Sequence, residues 1–295
     1  MNDWKLLSSH PYGHVYEKGL IIVKIIPESQ IKEVNFWKKV KLQEEDKKYF
    51  VCPTKIEYKK DYKHKSLPIG NYFLLSMEKK QGSLAKYLLN RSLTLNLEKK
   101  ILKQIIKALQ ILIKQGFVHA DMHLENIMKE KDNFCLIDFG LVMHKDFYET
   151  QQETKLCDLY LWCKEDFYSL CLVLLFHDQK RLLVKNNDYS KYRQKWIKYF
   201  SKNPTDWAMI KKNIFKTFCF DGREDFLFCY QFCFQNILSP SSALSPKPGV
   251  HMYDMLTKVF LDRIFLMTAI WFPQLIKLNL SPERQKFYKQ IVFKI

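Results

Sequence analysis

Arginine is scarce in this sequence: six of the 48 basic residues are Arg (Arg91, Arg181, Arg193, Arg223, Arg263 and Arg284), and the rest are Lys. A guanidinium fork grips phosphates and base edges through paired hydrogen bonds, whereas lysine is a flexible, hydrated point charge. The net charge of +17 invites a nucleic-acid protein, but the lysines are spread along the chain rather than gathered in one tail. Direct nucleic-acid binding is therefore not the expected function. The eight cysteines include no CxxC pair, and no histidine spacing accompanies them. Several sit in apolar runs such as Phe218-Cys219-Phe220, which points to buried, reduced thiols in an intracellular protein rather than to metal ligands. Long hydrophobic runs are missing too. The longest, Ile264 to Phe272, stops at Pro273 and is too short to cross a bilayer. Met1-Asn2-Asp3-Trp4 does not read as a signal peptide, so a cytoplasmic protein is expected. There is no internal repeat.

What is present is a normal globular composition, 47% hydrophobic and 27% charged, in a chain long enough for one large domain or two modest ones. The first 26 residues read as strands: Trp4 to Leu7, His14 to Glu17 and the β-branched run Leu20 to Ile26, with a tight turn at Lys18-Gly19. Pro27-Glu28 then opens a helix with apolar residues at Ile31, Val34, Trp37 and Val40. Strand-like pieces follow at Val51 to Tyr58 and Tyr72 to Met77. Beyond Gly82 the pattern turns helical. Leu97 to Gln115 is a long amphipathic helix with Asn96 placed to cap it and Gly116 to end it. Phe134 to Ile137 is a short buried strand. Helices are expected near 166–177, 190–200, 205–218, 223–236 and 251–272, with a Ser/Pro-rich loop at 239–249. The class is α+β, a small β-rich part followed by a larger helical one.

The stretch that carries chemistry is Phe117 to Gly140. It places His119, Asp121 and Asn126 in an HxDxxxxN pattern, then Asp138-Phe139-Gly140 twelve residues after Asn126. Phosphoryl transfer needs a carboxylate near the incoming hydroxyl and oxygen ligands for a Mg²⁺ ion bridging the phosphates. A lone DFG occurs often by chance; the joint spacing of Asp121, Asn126 and Asp138 does not.

The arrangement resembles the protein-kinase superfamily, in the right order over roughly residues 4 to 177. The resemblance implies a two-lobed fold, with a nucleotide-binding lobe over residues 1–80 and a catalytic lobe over 81–295, and it implies ATP and Mg²⁺ as cofactors. Lys24 would contact the α/β-phosphates and Glu33 would be its ion-pair partner. Gly13 and Val15 belong to the phosphate-covering loop. Met77 and Glu78 match the gatekeeper and first hinge residue, with Lys80 beside them on the nucleotide. Asp121 would be the catalytic base and Asn126 and Asp138 the metal ligands. His119 and Asp166 match residues that brace the catalytic loop. Taken singly, Lys24, Glu33 or Asp166 would read as an ordinary strand lysine, helix charge or capping acid.

Four departures from the family pattern bear on function. The phosphate-covering loop keeps only its last glycine, Gly13, which limits close backbone approach to phosphate. Lys24 and Glu33 are nine residues apart, a trimmed spacing that leaves Glu28 as a second possible partner. Ala120 replaces the arginine that reads a phosphorylated activation segment, so activity should not depend on phosphorylation at Thr150 or Thr154. His123 stands where protein kinases keep a lysine that steadies the γ-phosphate, and is counted with the catalytic group. HADMHLENI also resembles the catalytic loop of ABC1-type atypical kinases, without their alanine-rich loop or KxGQ signature. No APE motif lies between Gly140 and Asp166. The expectation is a divergent serine/threonine protein kinase, viral or bacterial-effector lineages included, working in the (host) cytoplasm. Its substrate would be an acidic or nucleic-acid-associated protein. A small-molecule or lipid kinase is the alternative that His123 and the absent APE favour. A pseudokinase scaffold is the one that the eroded glycine loop favours.

Overall fold

The computed structural model describes residues 4–10, 13–64, 67–89, 91–144, 157–177, 190–217 and 263–294. Within 157–166 and 190–194, and at 10, 197, 215 and 217, it describes the backbone alone. The helix expected at 223–236, the loop at 239–249, and Thr150 and Thr154 lie outside these residues. The chain divides into two compact units, Met1–Asp166 and Phe167–Ile295.

The first unit opens with strands β1 (Lys5–His10), β2 (Gly13–Lys18) and β3 (Ile21–Pro27), then helix α1 (Lys32–Lys39) and the long strands β4 (Pro53–His64) and β5 (Leu67–Glu78). They form an antiparallel sheet in the order β1-β2-β3-β5-β4. The β2–β3 turn lies one residue later than Lys18-Gly19 suggests. Lys18 pairs with Ile21, so Gly19-Leu20 is the loop, and Gly19 takes the positive φ (58°) a type II′ turn requires at its first position. Alternation divides the sheet residues between two faces. Tyr16, Val23, Ile25, Tyr72 and Leu74 form one buried cluster, with Trp4 and Tyr62 against it. Ile26, Phe73 and Leu75 pack with Val34, Ile31 and Trp37 from the α1 region on the other. The spacing of three at Ile31, Val34 and Trp37 is thus the contact stripe of this short helix.

Strand β6 (Gly82–Ser83) and helix α2 (Leu84–Leu88) lead to α3 (Leu95–Lys114), then β7 (Phe117–Val118), β8 (Ile127–Glu130), β9 (Asn133–Leu136) and β10 (Met143–His144). Helix α3 buries Ile101, Leu102, Ile105, Leu109 and Leu112 along one face, as its periodicity predicts. Its cap differs. Thr94 accepts the Leu97 N–H through its hydroxyl at 3.3 Å, and Asn96 lies inside the first turn. Gly116, with φ 76°, follows its end. Strands β8 and β9 form a hairpin whose far end delivers Ile137 and Asp138.

Helix α4 spans Cys157–Phe176. The second unit continues with α5 (Ser190–Lys202), α6 (Pro204–Thr217), a helical stretch over 263–271, a 3₁₀ turn at Pro273–Ile276 and α7 (Pro282–Ile291). Its core holds Trp196, Phe265, Phe176 and Ile270, all fully buried. Arg284 donates to the Leu174 carbonyl at 2.9 Å and Gln285 to that of Ile270 at 2.7 Å, which ties α7 to the unit. Among the described residues no helix is long and apolar enough to cross a membrane.

Candidate active site

Because β3 alternates, Ile22, Lys24 and Ile26 share the face opposite Val23 and Ile25, and all three line one cleft. Strand β3 ends at Pro27 and a 3₁₀ turn (Glu28–Gln30) leads almost directly into α1, so Glu33 falls in the helix's first turn and points inward at 3% exposure. Lys24 Nζ donates to Glu33 Oε2 at 2.5 Å and to Asp138 Oδ1 at 2.7 Å. Glu33 Oε1 accepts the Phe139 N–H at 3.4 Å, so one buried carboxylate holds both the strand lysine and the DFG backbone. Glu28 is engaged elsewhere, by the Tyr58 hydroxyl and the Asn71 amide. Burial opposes the Lys24 charge, but Glu33 and Asp138 outweigh it and raise its pKa. For Asp138 burial pushes upward, and Lys24 with the Gly140 N–H reverses this and leaves the pKa lowered.

The catalytic-loop segment lies between β7 and β8. Ala120 has φ 62°, a left-handed conformation that costs a residue with a Cβ roughly 1–2 kcal/mol. His119 is fully buried beneath it, Nε2 bonding the Ile137 carbonyl at 2.8 Å, and burial lowers its pKa. Asn126 closes the loop: its Nδ2 donates to the Asp121 carbonyl at 2.9 Å and to Asp121 Oδ2 at 3.0 Å. His123 Nδ1 accepts the Glu125 N–H at 3.3 Å, starting the 3₁₀ turn Leu124–Asn126. Its Nε2 lies 3.6 Å from Asp121 Oδ2, close enough for charge attraction and too far for a hydrogen bond. The pair is mutually stabilising. His123 lowers the Asp121 pKa, and Asp121 raises that of His123 against the effect of burial.

The Phe139 side chain is fully buried, stacked on Phe36 at 4.3 Å with Trp37 edge-on at 5.1 Å and the His119 ring at 5.0 Å. Asp138 (φ 61°) turns out of this anchor toward Lys24, and its Oδ1 also accepts the Gly140 N–H at 3.3 Å.

The eleven residues assigned from sequence to catalysis, nucleotide or metal line this one cleft of about 590 Å³: Gly13, Val15, Lys24, Glu33, Met77, Glu78, Lys80, Asp121, His123, Asn126 and Asp138. Lys80 pairs with Glu78 at 3.1 Å. Gly13 earns its place sterically. At φ 154° a Cβ would stand 2.9 Å from the Ile25 carbonyl oxygen, so β2 could not pair with β3 unchanged. The Asp166 side chain lies outside the described residues. The sequence reading missed the apolar walls, among them Leu7, Ile22, Val51, Met128 and Ile137. Single apolar residues on separate strands carry no motif. Only the alternation of β3 hinted that Ile22 and Ile26 would flank Lys24.

The donor set suits a hard divalent cation. With its NH₂ committed to Asp121, Asn126 presents Oδ1, and Asp138 adds carboxylate oxygen. No group of three or more His, Cys, Asp or Glu among the described residues could cage a metal alone. Asn126 and Asp138 together offer the one or two protein oxygens that Mg²⁺ takes, its shell being completed by phosphates and water.

Residues 14–161 match the family model for the protein kinase domain, half of the chain. A probable serine/threonine-protein kinase 2 from Plasmodium falciparum is 29% identical over 126 residues, 41% of this chain and 23% of that protein. A probable serine/threonine-protein kinase from Dictyostelium discoideum is 30% identical over 173 residues, 48% of this chain and 26% of that protein. The chain thus spans about a quarter of the length of these relatives. It belongs to the protein kinase superfamily, with the α+β, two-lobed fold of that class.

Proposed function

We propose that the chain transfers the γ-phosphate of ATP, held with Mg²⁺, to a serine or threonine hydroxyl of a protein. The observation that carries this is the alignment of two constellations in one cleft: Lys24 between Glu33 and Asp138, and Asp121 clamped by Asn126. In this reading residues 1–80 form the nucleotide-binding lobe and residues 81–295 the catalytic lobe.

Lys24 meets the α- and β-phosphates, positioned by Glu33, while Met77, Glu78 and Lys80 line the base and ribose end. Asn126 and Asp138 would hold Mg²⁺ through their oxygens; when bound, the ion neutralises charge on the phosphates. Asp121 orients the acceptor hydroxyl. His123 holds the Asp121 carboxyl below its usual range, so it is fully ionised at neutral pH but weakly basic. It therefore positions the hydroxyl first and takes its proton late, as suits a loose phosphoryl-transfer transition state. His123 stands near the γ-phosphate in place of a lysine and, when protonated, supplies positive charge there. Restricted backbone approach at the eroded glycine loop leaves more of the phosphate binding to Lys24 and the metal ligands.

A protein acceptor agrees with the names of the two relatives, the net charge of +17 favours an acidic one, and the cytoplasm is the proposed place of action. The test is to incubate the purified chain with Mg-ATP, a protein panel and a metabolite extract, with Asp121→Asn as the blank. Phosphoserine or phosphothreonine in protein is the expected product. Label confined to small molecules would move the acceptor to another class.

A further inference from the structure

The Phe167–Ile295 unit has a cavity of its own, about 400 Å³, and four exposed lysines line it: Lys195, Lys198 and Lys202 from α5, and Lys277 after the 3₁₀ turn. Its floor is built. The Tyr199 ring lies 5.4 Å from Phe200 and 5.7 Å from Phe272, its hydroxyl donates to Asp206 at 2.8 Å, and Asn203 Nδ2 donates to the Tyr199 carbonyl at 2.8 Å. Among the described residues none of the four ammonium groups is in ion-pair distance of a carboxylate; Asp206 is occupied by Tyr199.

Two features of the arrangement work against stability. Helix α5 carries basic residues at 191, 193, 195, 198 and 202 and no acid. Lys195/Lys198 and Lys198/Lys202 are like-charge neighbours at i,i+3 and i,i+4, and such pairs destabilise a helix. Lys277 closes the cluster from a left-handed backbone, φ 56°, where glycine or asparagine costs less. Charge concentrated in a concavity at the expense of helix stability is resolved by an anionic ligand.

We propose that this cavity docks an acidic segment of a protein partner, its carboxylates meeting Lys195, Lys198, Lys202 and Lys277. From Lys195 to Lys202 the helix rises about 10.5 Å, the span of about three residues of extended peptide. Lysine point charges suit scattered carboxylates, while the planar fork used for bases and phosphates is absent from the lining. Tyr199, engaged by Phe200 and Phe272 and pinned by Asp206, is not a free stacking platform for single-stranded nucleic acid. Docking goes beyond phosphate transfer and requires neither ATP nor Asp121, so binding is measured separately from catalysis.

The experiment uses the full chain and the fluorescence anisotropy of a labelled peptide of six alternating Glu and Asp residues at physiological salt. Wild type and Asp121→Asn should bind alike. The variant K195Q/K198Q/K202Q/K277Q should bind about 16-fold more weakly, each exposed ion pair being worth about a factor of two. K32Q/K60Q/K63Q/K103Q, with the same net charge, should lose at most twofold. The cluster variant should melt at or above the wild-type temperature, since repulsion is relieved. Should it not fold, K198Q/K202Q should lose about fourfold. Equal weakening by the scattered variant would reduce the effect to overall charge and overturn the proposal. So would absence of peptide binding by wild type. A single-stranded oligonucleotide that binds more tightly than the peptide and is lost with the cluster would also overturn it, assigning the cavity to nucleic acid.

Discussion

Glu33 holds Lys24 at 2.5 Å although nine residues separate them. The link is possible because a single 3₁₀ turn joins β3 to α1, so the helix's first turn already faces the strand's cleft side. The same carboxylate receives the Phe139 N–H. Glu33→Gln preserves shape and an acceptor for Phe139 but removes one of the two charges balancing Lys24. Steady-state transfer from Mg-ATP should show kcat/KM reduced about 10–100-fold, with a larger loss for Lys24→Met. A change within twofold would mean that Asp138 alone positions the lysine.

Phe139 anchors the segment that carries Asp138. Truncating a fully buried ring leaves a cavity beside Phe36 and Trp37, so Phe139→Ala should cost about 3–5 kcal/mol in urea unfolding. Phe139→Leu should cost distinctly less.

Gly13→Ala should destabilise the chain by about 1–3 kcal/mol, because the new methyl would meet the Ile25 carbonyl at 2.9 Å from an unfavourable φ. Gly19→Ala is the comparison. Nothing lies within 4 Å of its Cβ position, so only the conformational cost of φ 58° remains, and the loss should be smaller.

Burial pushes the Cys135 thiol up to about 12 from 9.0. At pH 8 its thiolate fraction is negligible, and mass spectrometry after brief iodoacetamide treatment should find it unmodified in the native chain. The unfolded chain loses this proton above pH 9 while the native chain keeps it, so folding stability falls as pH rises from 9 toward 12. The slope from this residue is about 1.4 kcal/mol per pH unit. In Cys135→Ala the decline in urea midpoint over that range should be shallower than in wild type.

Much of this was legible in the sequence, for unequal reasons. The spacing of His119, Asp121, Asn126 and Asp138 is local, set by one loop and one hairpin, and the geometry follows from it. The pairing of Lys24 with Glu33 rather than Glu28 was open, because helix position decides which carboxylate faces the strand. The α3 cap went to Thr94 instead of Asn96, since either side chain can cap and only the entry of the backbone selects between them. Strands β4 and β5 run to 12 residues each, longer than their apolar cores suggested. The outer part of β4, Lys59 to His64, is mostly lysine and aromatic, and its alternation is further blurred by register shifts near Asp61 (φ 47°). The lysine cavity left no sequence signal. Its members are common residues, and Lys277 comes from far along the chain.

The measurement that tests the central claim most directly is phosphate transfer from Mg-ATP by wild type and by Asp121→Asn, with melting curves recorded on both. The Asp121 side chain is 35% exposed, and Asn in its place leaves the buried anchors intact. The prediction is transfer by wild type, a rate lower by about 10²–10⁴-fold in the variant, and melting temperatures that agree. Equal rates in the two proteins, or no transfer by well-folded wild type at saturating Mg-ATP with any protein or small acceptor, would contradict the account.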